Sequence, residues 1–263
     1  MSDMSLIIKP VRAFADNYIW VIDSADSDVV AVVDPGDAAP VLAWLEQAGK
    51  RLEAVLITHF HRDHTGGISR LRAAFPDCRV HGPARESIDG LTDRHGEGDV
   101  IELAALGARF DVMDVPGHTA GHIAYSGHGL LFCGDTLFAC GCGRVFDGTF
   151  EQLAQSLLRI AAMPPETLIY CAHEYTIDNI GFAKWVEPEN EALLAREQRD
   201  MAAAEQGMPT VPSTLALELA TNPFMRLSEP TVVAAAQARM KTPTDDPVAV
   251  FRALREWKDR EYD

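Results

Sequence analysis

The chain has 263 residues, enough for one large or two ordinary domains and a sizeable core. Its composition, 47% hydrophobic and 24% charged, is that of a globular protein, without an internal repeat or a low-complexity tract. The net charge of −16 argues against a nucleic-acid backbone as partner, because that contact depends on Lys and Arg.

The opening residues, Met1-Ser2-Asp3-Met4-Ser5-Leu6, show no basic stretch followed by an apolar one, and no apolar run reaches the length of a membrane span. The expectation is a cytoplasmic protein that neither enters nor crosses a membrane. Five cysteines, Cys78, Cys133, Cys140, Cys142 and Cys171, are an odd set without a regular framework and suggest thiols kept reduced. Cys140-Gly141-Cys142 has no second pair, so it is a weak zinc signal.

Short apolar, β-branched runs predict strands over 6–9, 18–23, 29–33, 54–58, 79–81, 110–115, 122–126, 130–133 and 167–170. Helical periodicity is seen over 39–48, 68–74 and 150–161. Turn signals separate these elements at Asp34-Pro35-Gly36-Asp37, Gly96-Glu97-Gly98-Asp99, Pro116-Gly117 and Pro164-Pro165. So many strands with so few helices between them suggest a mixed two-sheet sandwich. After residue 174 the composition turns to Glu, Ala, Arg and Gln, and helices are expected over 189–206, 213–220, 229–240 and 247–259. Gly207 suits the position after the first of these, and Asp245 could cap the last. The expected division is an α/β domain over 1–173 and a helical domain over 174–263.

Thr58-His59-Phe60-His61-Arg62-Asp63-His64 packs three imidazoles and a carboxylate onto a loop at the carboxyl end of a predicted strand. Open α/β sheets bind ligands at such ends, and three histidines on one loop would make a poor core. Three further strand ends carry His118, Asp135 and His173, within Gly117-His118-Thr119, Gly134-Asp135-Thr136 and His173-Glu174-Tyr175. Taken singly, each of those three is also a common turn or cap residue. Together, five imidazoles and two carboxylates exceed the three protein ligands of one open zinc and suit a pair of metals. His122, beside a strand start, reads as a supporting residue, and Asp34 either orients a ligand histidine or starts its turn. His81, His95 and His128 read as surface residues of polar turns. Arg255 and Lys258, three apart on a predicted helix, share a face. By spacing alone they are a solvated basic stripe rather than a binding site.

The pattern Thr-His-x-His-x-Asp-His, Gly-His-Thr, Gly-Asp-Thr and a final His resembles the metallo-β-lactamase superfamily. Gly141-Cys142-Gly143-Arg144, His173-Glu174-Tyr175-Thr176, Asn222-Pro223-Phe224 and Arg255-Glu256-Trp257-Lys258-Asp259 narrow the resemblance to the glyoxalase II family. It covers nearly the whole chain. The resemblance implies an αβ/βα four-layer sandwich with a C-terminal helical domain. It implies hydrolysis of S-(2-hydroxyacyl)glutathione, as in methylglyoxal detoxification, by a hydroxide activated on two divalent metals. Zinc is the first choice of metal, with iron or manganese as alternatives. His59, His61 and His118 would hold one metal, Asp63, His64 and His173 the other, and Asp135 would bridge. Asp63 and Asp135 would serve the chemistry directly. Arg144, Tyr175, Arg255 and Lys258 would bind glutathione. The implied partner is a small thioester substrate, met by a monomer. Arg144 stands where relatives often have Lys, and Phe146 where many have Tyr, so weaker glutathione binding is expected. The rival reading on the same fold is a glutathione persulfide dioxygenase with one iron, which would not need the second set of ligands.

Overall fold

The structure, a computed structural model, describes residues 6–262. Met1–Ser5, which carry most of the leader reading, and Asp263 lie outside the described residues. The chain divides into two compact units. One runs to Asp114 and resumes over Gly121–Gly134, and the other comprises Val115–Ala120 and everything from Asp135 onward.

The first unit opens with β1 (Leu6–Ala13), β2 (Asn17–Ser24), β3 (Val29–Val33), α1 (Ala38–Ala48) and β4 (Arg51–Leu56). It continues with a single helical turn, α2 (Arg62–Thr65), then α3 (Ile68–Ala74), β5 (Arg79–Pro83) and β6 (Asp93–His95). Strands β1 to β6 form one mixed sheet in sequence order, antiparallel from β1 to β3 and parallel from β3 to β6. Both faces of β2 and β3 are buried, which is why their sequences are continuous apolar runs rather than alternating ones. Val21, Val30, Val32, Val55 and Val80 from the strands pack with Val41 and Leu45 of α1 and with Ile68 and Leu71 of α3 in one core. Asp37 caps α1 by accepting from the Ala39 amide at 2.9 Å. Four more strands, β7 (Val100–Leu103), β8 (Ala108–Asp114), β9 (Ile123–Gly127) and β10 (Leu130–Gly134), make an antiparallel run. The Tyr125 hydroxyl of β9 donates to the Ile57 carbonyl at 2.5 Å, just after β4.

The second unit contains the hairpin β11 (Leu137–Phe138) and β12 (Gly141–Cys142), then α4 (Phe150–Ala161), β13 (Leu168–Cys171) and α5 (Thr176–Val186). It ends with α6 (Glu191–Glu205), β14 (Ser213–Thr214), α7 (Leu215–Thr221), α8 (Pro230–Gln237) and α9 (Pro247–Trp257). A wide π-type turn over Lys258–Tyr262 follows α9. Thr149 and Gln152 form a reciprocal capping box at the start of α4. At the end of α6, Met208 N bonds Ala203 O and Gly207 N bonds Ala204 O, with Gly207 at φ +68°. That closure needs a left-handed residue, as the Gly207 reading expects.

Three expectations are corrected. Asp246, not Asp245, caps α9, accepting from Ala249 N at 2.9 Å. Residues 213–214 form a short strand before the helix, and the Thr214 side chain accepts from Leu217 N as the cap. Helix α5 was not foreseen: its buried residues, including Thr176, Asn179, Ile180, Phe182, Ala183 and Val186, lie on several faces, so no apolar stripe marks it. No helix among the described residues is long and apolar enough to cross a membrane.

Candidate metal centre

In the first unit the loop after β4 carries the four residues of the heptapeptide. His59 and His64 are buried, whereas Asp63 keeps 41% of its side chain exposed. His59 Nε2 and His61 Nδ1 stand 3.0 Å apart, and His64 Nε2 lies 3.3 Å from Asp63 Oδ2. Asp34 holds this loop in place. Its carboxylate accepts from Thr58 N at 2.8 Å and from Thr58 Oγ1 at 2.7 Å, and one oxygen lies 3.0 Å from His64 Nδ1. Asp34 therefore does more than begin a turn: it anchors the strand end and faces a candidate ligand from behind. Gly36 explains the close approach of the two loops, since a Cβ there would lie 1.8 Å from the Asp63 carbonyl oxygen. His122 is buried, and its ring stacks on His59 at 4.6 Å. Asn17 Nδ2 donates to Asp63 Oδ2 at 3.0 Å. Sequence reasoning passed over Asn17, because a lone Asn before a strand is an ordinary turn residue.

In the second unit His118, Asp135 and His173 converge. His118 Nε2 lies 3.5 Å and His173 Nε2 3.4 Å from the same oxygen, Asp135 Oδ2. All three residues are buried. His118 is oriented through Nδ1, which contacts the Arg144 carbonyl oxygen at 2.8 Å and so serves as donor there, leaving Nε2 as the lone-pair nitrogen. Its loop is tied down by Ser156 Oγ donating to Pro116 O at 2.8 Å and by Ala120 N donating to Asp147 at 2.9 Å. Gly143 is required because a Cβ would sit 2.0 Å from Asp135 O. His173 stacks on Tyr175 with ring centres 4.7 Å apart and planes nearly parallel. Imidazoles and carboxylates without thiolate suit zinc, iron or manganese. A buried carboxylate oxygen facing two imidazole nitrogens has the spacing of ligands about a cation.

Of the four residues expected at glutathione, all lie in the second unit. Asp259 Oδ1 links two of them, at 2.9 Å from Arg255 Nη2 and 3.8 Å from Arg144 Nε. Arg255 is 1% exposed and donates to the Cys142 carbonyl at 3.1 Å, so part of its charge secures β12. Lys258 is buried, with Nζ 3.4 Å from Asp178 Oδ2. Arg144 and Tyr175 are exposed, as is Phe146, whose ring meets His118 edge to face at 5.1 Å.

The other histidines depart in part from expectation. His81 is a buried residue of β5, and its Nδ1 lies 3.0 Å from Nε2 of His95 on β6. Neither is the surface turn residue expected, because both belong to strands of the mixed sheet. His128 does occupy a turn, at φ +55°, and accepts from Arg109 N. The cysteines are buried, and no disulfide forms among the described residues.

Residues 14–173 match the metallo-beta-lactamase superfamily, and residues 174–261 match the hydroxyacylglutathione hydrolase C-terminus. The hydroxyacylglutathione hydrolase of Alkalilimnicola ehrlichii is 53% identical over 253 residues, covering 96% of this chain and 98% of that one. The hydroxyacylglutathione hydrolase of Vibrio cholerae is 51% identical, covering 97% and 99%. Among solved structures, ETHE1 from Myxococcus xanthus superposes with a TM-score of 0.64 at 23% identity, covering 95% of this chain and 99% of that one. That last likeness concerns the fold, an α/β sandwich. Together with the full-length relatives, the matches show that the chain belongs to the metallo-β-lactamase superfamily and, within it, to the hydroxyacylglutathione hydrolase family.

Proposed function

We propose that this protein hydrolyses S-(2-hydroxyacyl)glutathione, with S-D-lactoylglutathione as the reference substrate, to glutathione and a 2-hydroxy acid, in the removal of methylglyoxal. The observation that carries the reading is Asp135 Oδ2 lying within 3.5 Å of the Nε2 atoms of both His118 and His173. The near full-length relatives named for this activity support it.

In this reading His59, His61 and His118 would hold one metal and Asp63, His64 and His173 the other, with Asp135 shared between the two. Zinc is the proposed metal, on the strength of the imidazole-rich donor set. Two such ions, once bound, supply Lewis acidity and a water of lowered pKa. Asp34 and Asn17 keep the heptapeptide loop in register. Asp63, half open to solvent, would orient the attacking water. Arg144, Tyr175, Arg255 and Lys258 supply cations and a hydroxyl for the two carboxylates of glutathione, which a chain of net charge −16 would otherwise repel. The departing thiolate has an ordinary pKa of about 8.5 and needs no acid. No side-chain nucleophile is called for: burial pushes the Cys140 thiol up to about 12 and the Cys142 thiol to about 11, so both stay protonated. Residues 1–173 form the catalytic part and 174–263 the part that helps hold glutathione, in a cytoplasmic monomer.

The test is loss of thioester absorbance with S-D-lactoylglutathione, on a preparation also assayed for metal. Rapid turnover with about two metals per chain is expected, and Asp135→Ala should abolish turnover and lower the metal content. No turnover, together with about one iron per chain and oxygen uptake on glutathione persulfide, would replace the hydrolase reading with the dioxygenase one.

A further inference from the structure

A second group of ligating side chains lies in the first unit, apart from the heptapeptide. His81 sits on β5, and Asp93 and His95 sit two residues apart on β6, so the latter two share a face of the strand. The parallel register places His81 opposite Asp93 and Pro83 opposite His95. One strand thus offers an imidazole, and its neighbour offers a carboxylate and a second imidazole. His81 Nδ1 and His95 Nε2 face each other at 3.0 Å, and Asp93 Oδ2 lies 3.9 Å from the former.

Two nitrogens bound to one cation at about 2.1 Å stand about 3.0–3.4 Å apart for angles between square and tetrahedral. The His81–His95 spacing falls in that range. It equals the 3.0 Å between His59 Nε2 and His61 Nδ1, which pair the same two kinds of nitrogen. The pair opens on a cleft of about 240 Å³ whose lining includes Glu53, Arg79 and Glu102. Three acidic residues, Glu53, Asp93 and Glu102, and one arginine thus line it, and Asp99 Oδ2 lies 3.8 Å from His95 Nδ1. Arg79 is already paired with Asp93, which accepts from Arg79 Nε at 2.9 Å and from Thr92 Oγ1 at 2.7 Å. Glu53 contributes an oxygen, Oε2, that is buried without a hydrogen-bond partner among the described residues. Glu53 lines the same cleft, and an unsatisfied buried carboxylate oxygen is costly unless something cationic meets it. Burial holds both imidazoles below their usual pKa, His81 down to about 4, so they are neutral and keep lone pairs at neutral pH.

We propose that His81 and His95, with Asp93 next to His81 and Glu53 on the wall of the same cleft, form a separate binding site for one divalent transition-metal ion of the zinc, copper or nickel class. Water completes the coordination. The ion would tie β6, the last strand of its sheet and only three residues long, to its neighbour. Such a short edge strand has few bonds of its own to keep it in place.

The test uses the full-length protein with its catalytic metals in place. Wild type and His95→Gln are titrated with zinc by calorimetry, and metal is counted after gel filtration. The wild type is expected to retain one zinc more per chain than His95→Gln, and zinc should raise its Tm by several degrees with no such rise in the variant. Lactoylglutathione hydrolysis, if that reading holds, should be equal in the two, so failure of one reading does not touch the other. As a second measurement, one equivalent of Cu2+ added to the zinc-loaded wild type should give an electron paramagnetic resonance spectrum with two-nitrogen coupling that Asp93→Asn weakens and His95→Gln removes. Equal metal content, equal Tm response and no such coupling difference would reduce the pair to a plain imidazole–imidazole hydrogen bond and overturn the proposal.

Discussion

The side-chain amide of Asn222 donates to the carbonyl of Gly141 at 2.9 Å, joining the turn after α7 to the β11–β12 hairpin. The same nitrogen lies 3.3 Å from Phe138 O and 3.1 Å from Glu218 Oε2, and Asn222 Oδ1 accepts from Phe224 N at 3.0 Å. Glu218 in turn accepts from Cys140 N at 2.8 Å, at the one hairpin residue with φ near +60°, and pairs with buried Arg196 at 2.8 Å. Asn222 is fully buried, so nothing but protein can replace it there. Asn222→Ala would strand hairpin carbonyls in the interior. It should cost about 2–4 kcal/mol, at one to two unsatisfied buried groups. Chemical denaturation measures this, and a loss below about 0.5 kcal/mol would mean the hairpin is held by other contacts.

Gly36→Ala tests whether the approach of two backbone loops sets the position of Asp63. The added Cβ would meet Asp63 O at 1.8 Å and the Phe14 ring at 2.8 Å. Backbone cannot yield as a flexible side chain can, so the heptapeptide loop must shift. We expect the metal content to fall by about one ion per chain and turnover to drop at least about 10²-fold, the scale of a misplaced catalytic geometry. Full metal occupancy and full turnover would show that the loop relaxes without moving Asp63.

His81 makes stability depend on pH. Burial lowers its pKa from 6.5 to about 4, with Asp93 pulling upward and His95 and Arg79 downward. The folded state therefore binds fewer protons than the unfolded state between those values. The stability tied to the neutral imidazole is complete above about pH 6.5 and is lost as pH falls toward about 4, by at most about 3 kcal/mol. Denaturation at about pH 7 and about pH 4.5 should show wild type losing more stability than His81→Gln. Equal losses would mean that His81 titrates normally in the folded protein.

Lys258→Ala should act on substrate binding rather than on chemistry. Its ammonium is buried beside Asp178 at the start of the turn after α9 and carries none of the candidate metal ligands. A lost charge-assisted hydrogen bond of about 1.5–3 kcal/mol corresponds to about a 10- to 150-fold rise in KM, with kcat held within a few-fold. Steady-state kinetics with the lactoyl thioester separates the two, and an unchanged KM would remove Lys258 from the glutathione contacts.

Much was legible in the chain before any coordinates. Apolar runs such as 29–33 and the periodic stretches 68–74 and 150–161 are the observed elements, residue for residue, because burial of one face or two leaves a direct mark on residue order. The heptapeptide stood out for a related reason: four ionisable groups on one loop have no packing use. Helix α5 left no such mark, since a helix buried on several faces shows no polar stripe. His81 and His95 read as surface residues because each stands directly before a turn signal, Gly82-Pro83 and Gly96-Glu97-Gly98, and the pairing of β5 with β6 that buries His81 leaves no mark on residue order. What sequence order could not decide is which distant groups share an atom. His118, on a loop tied by Ser156 and by the Arg144 carbonyl, and His173, after β13, reach one oxygen of Asp135. Asn222 reaches Gly141, and Arg255 reaches Cys142. Those meetings depend on three-dimensional closure at distances of about 3 Å, and local propensity, which acts over a few residues, carries no information about them.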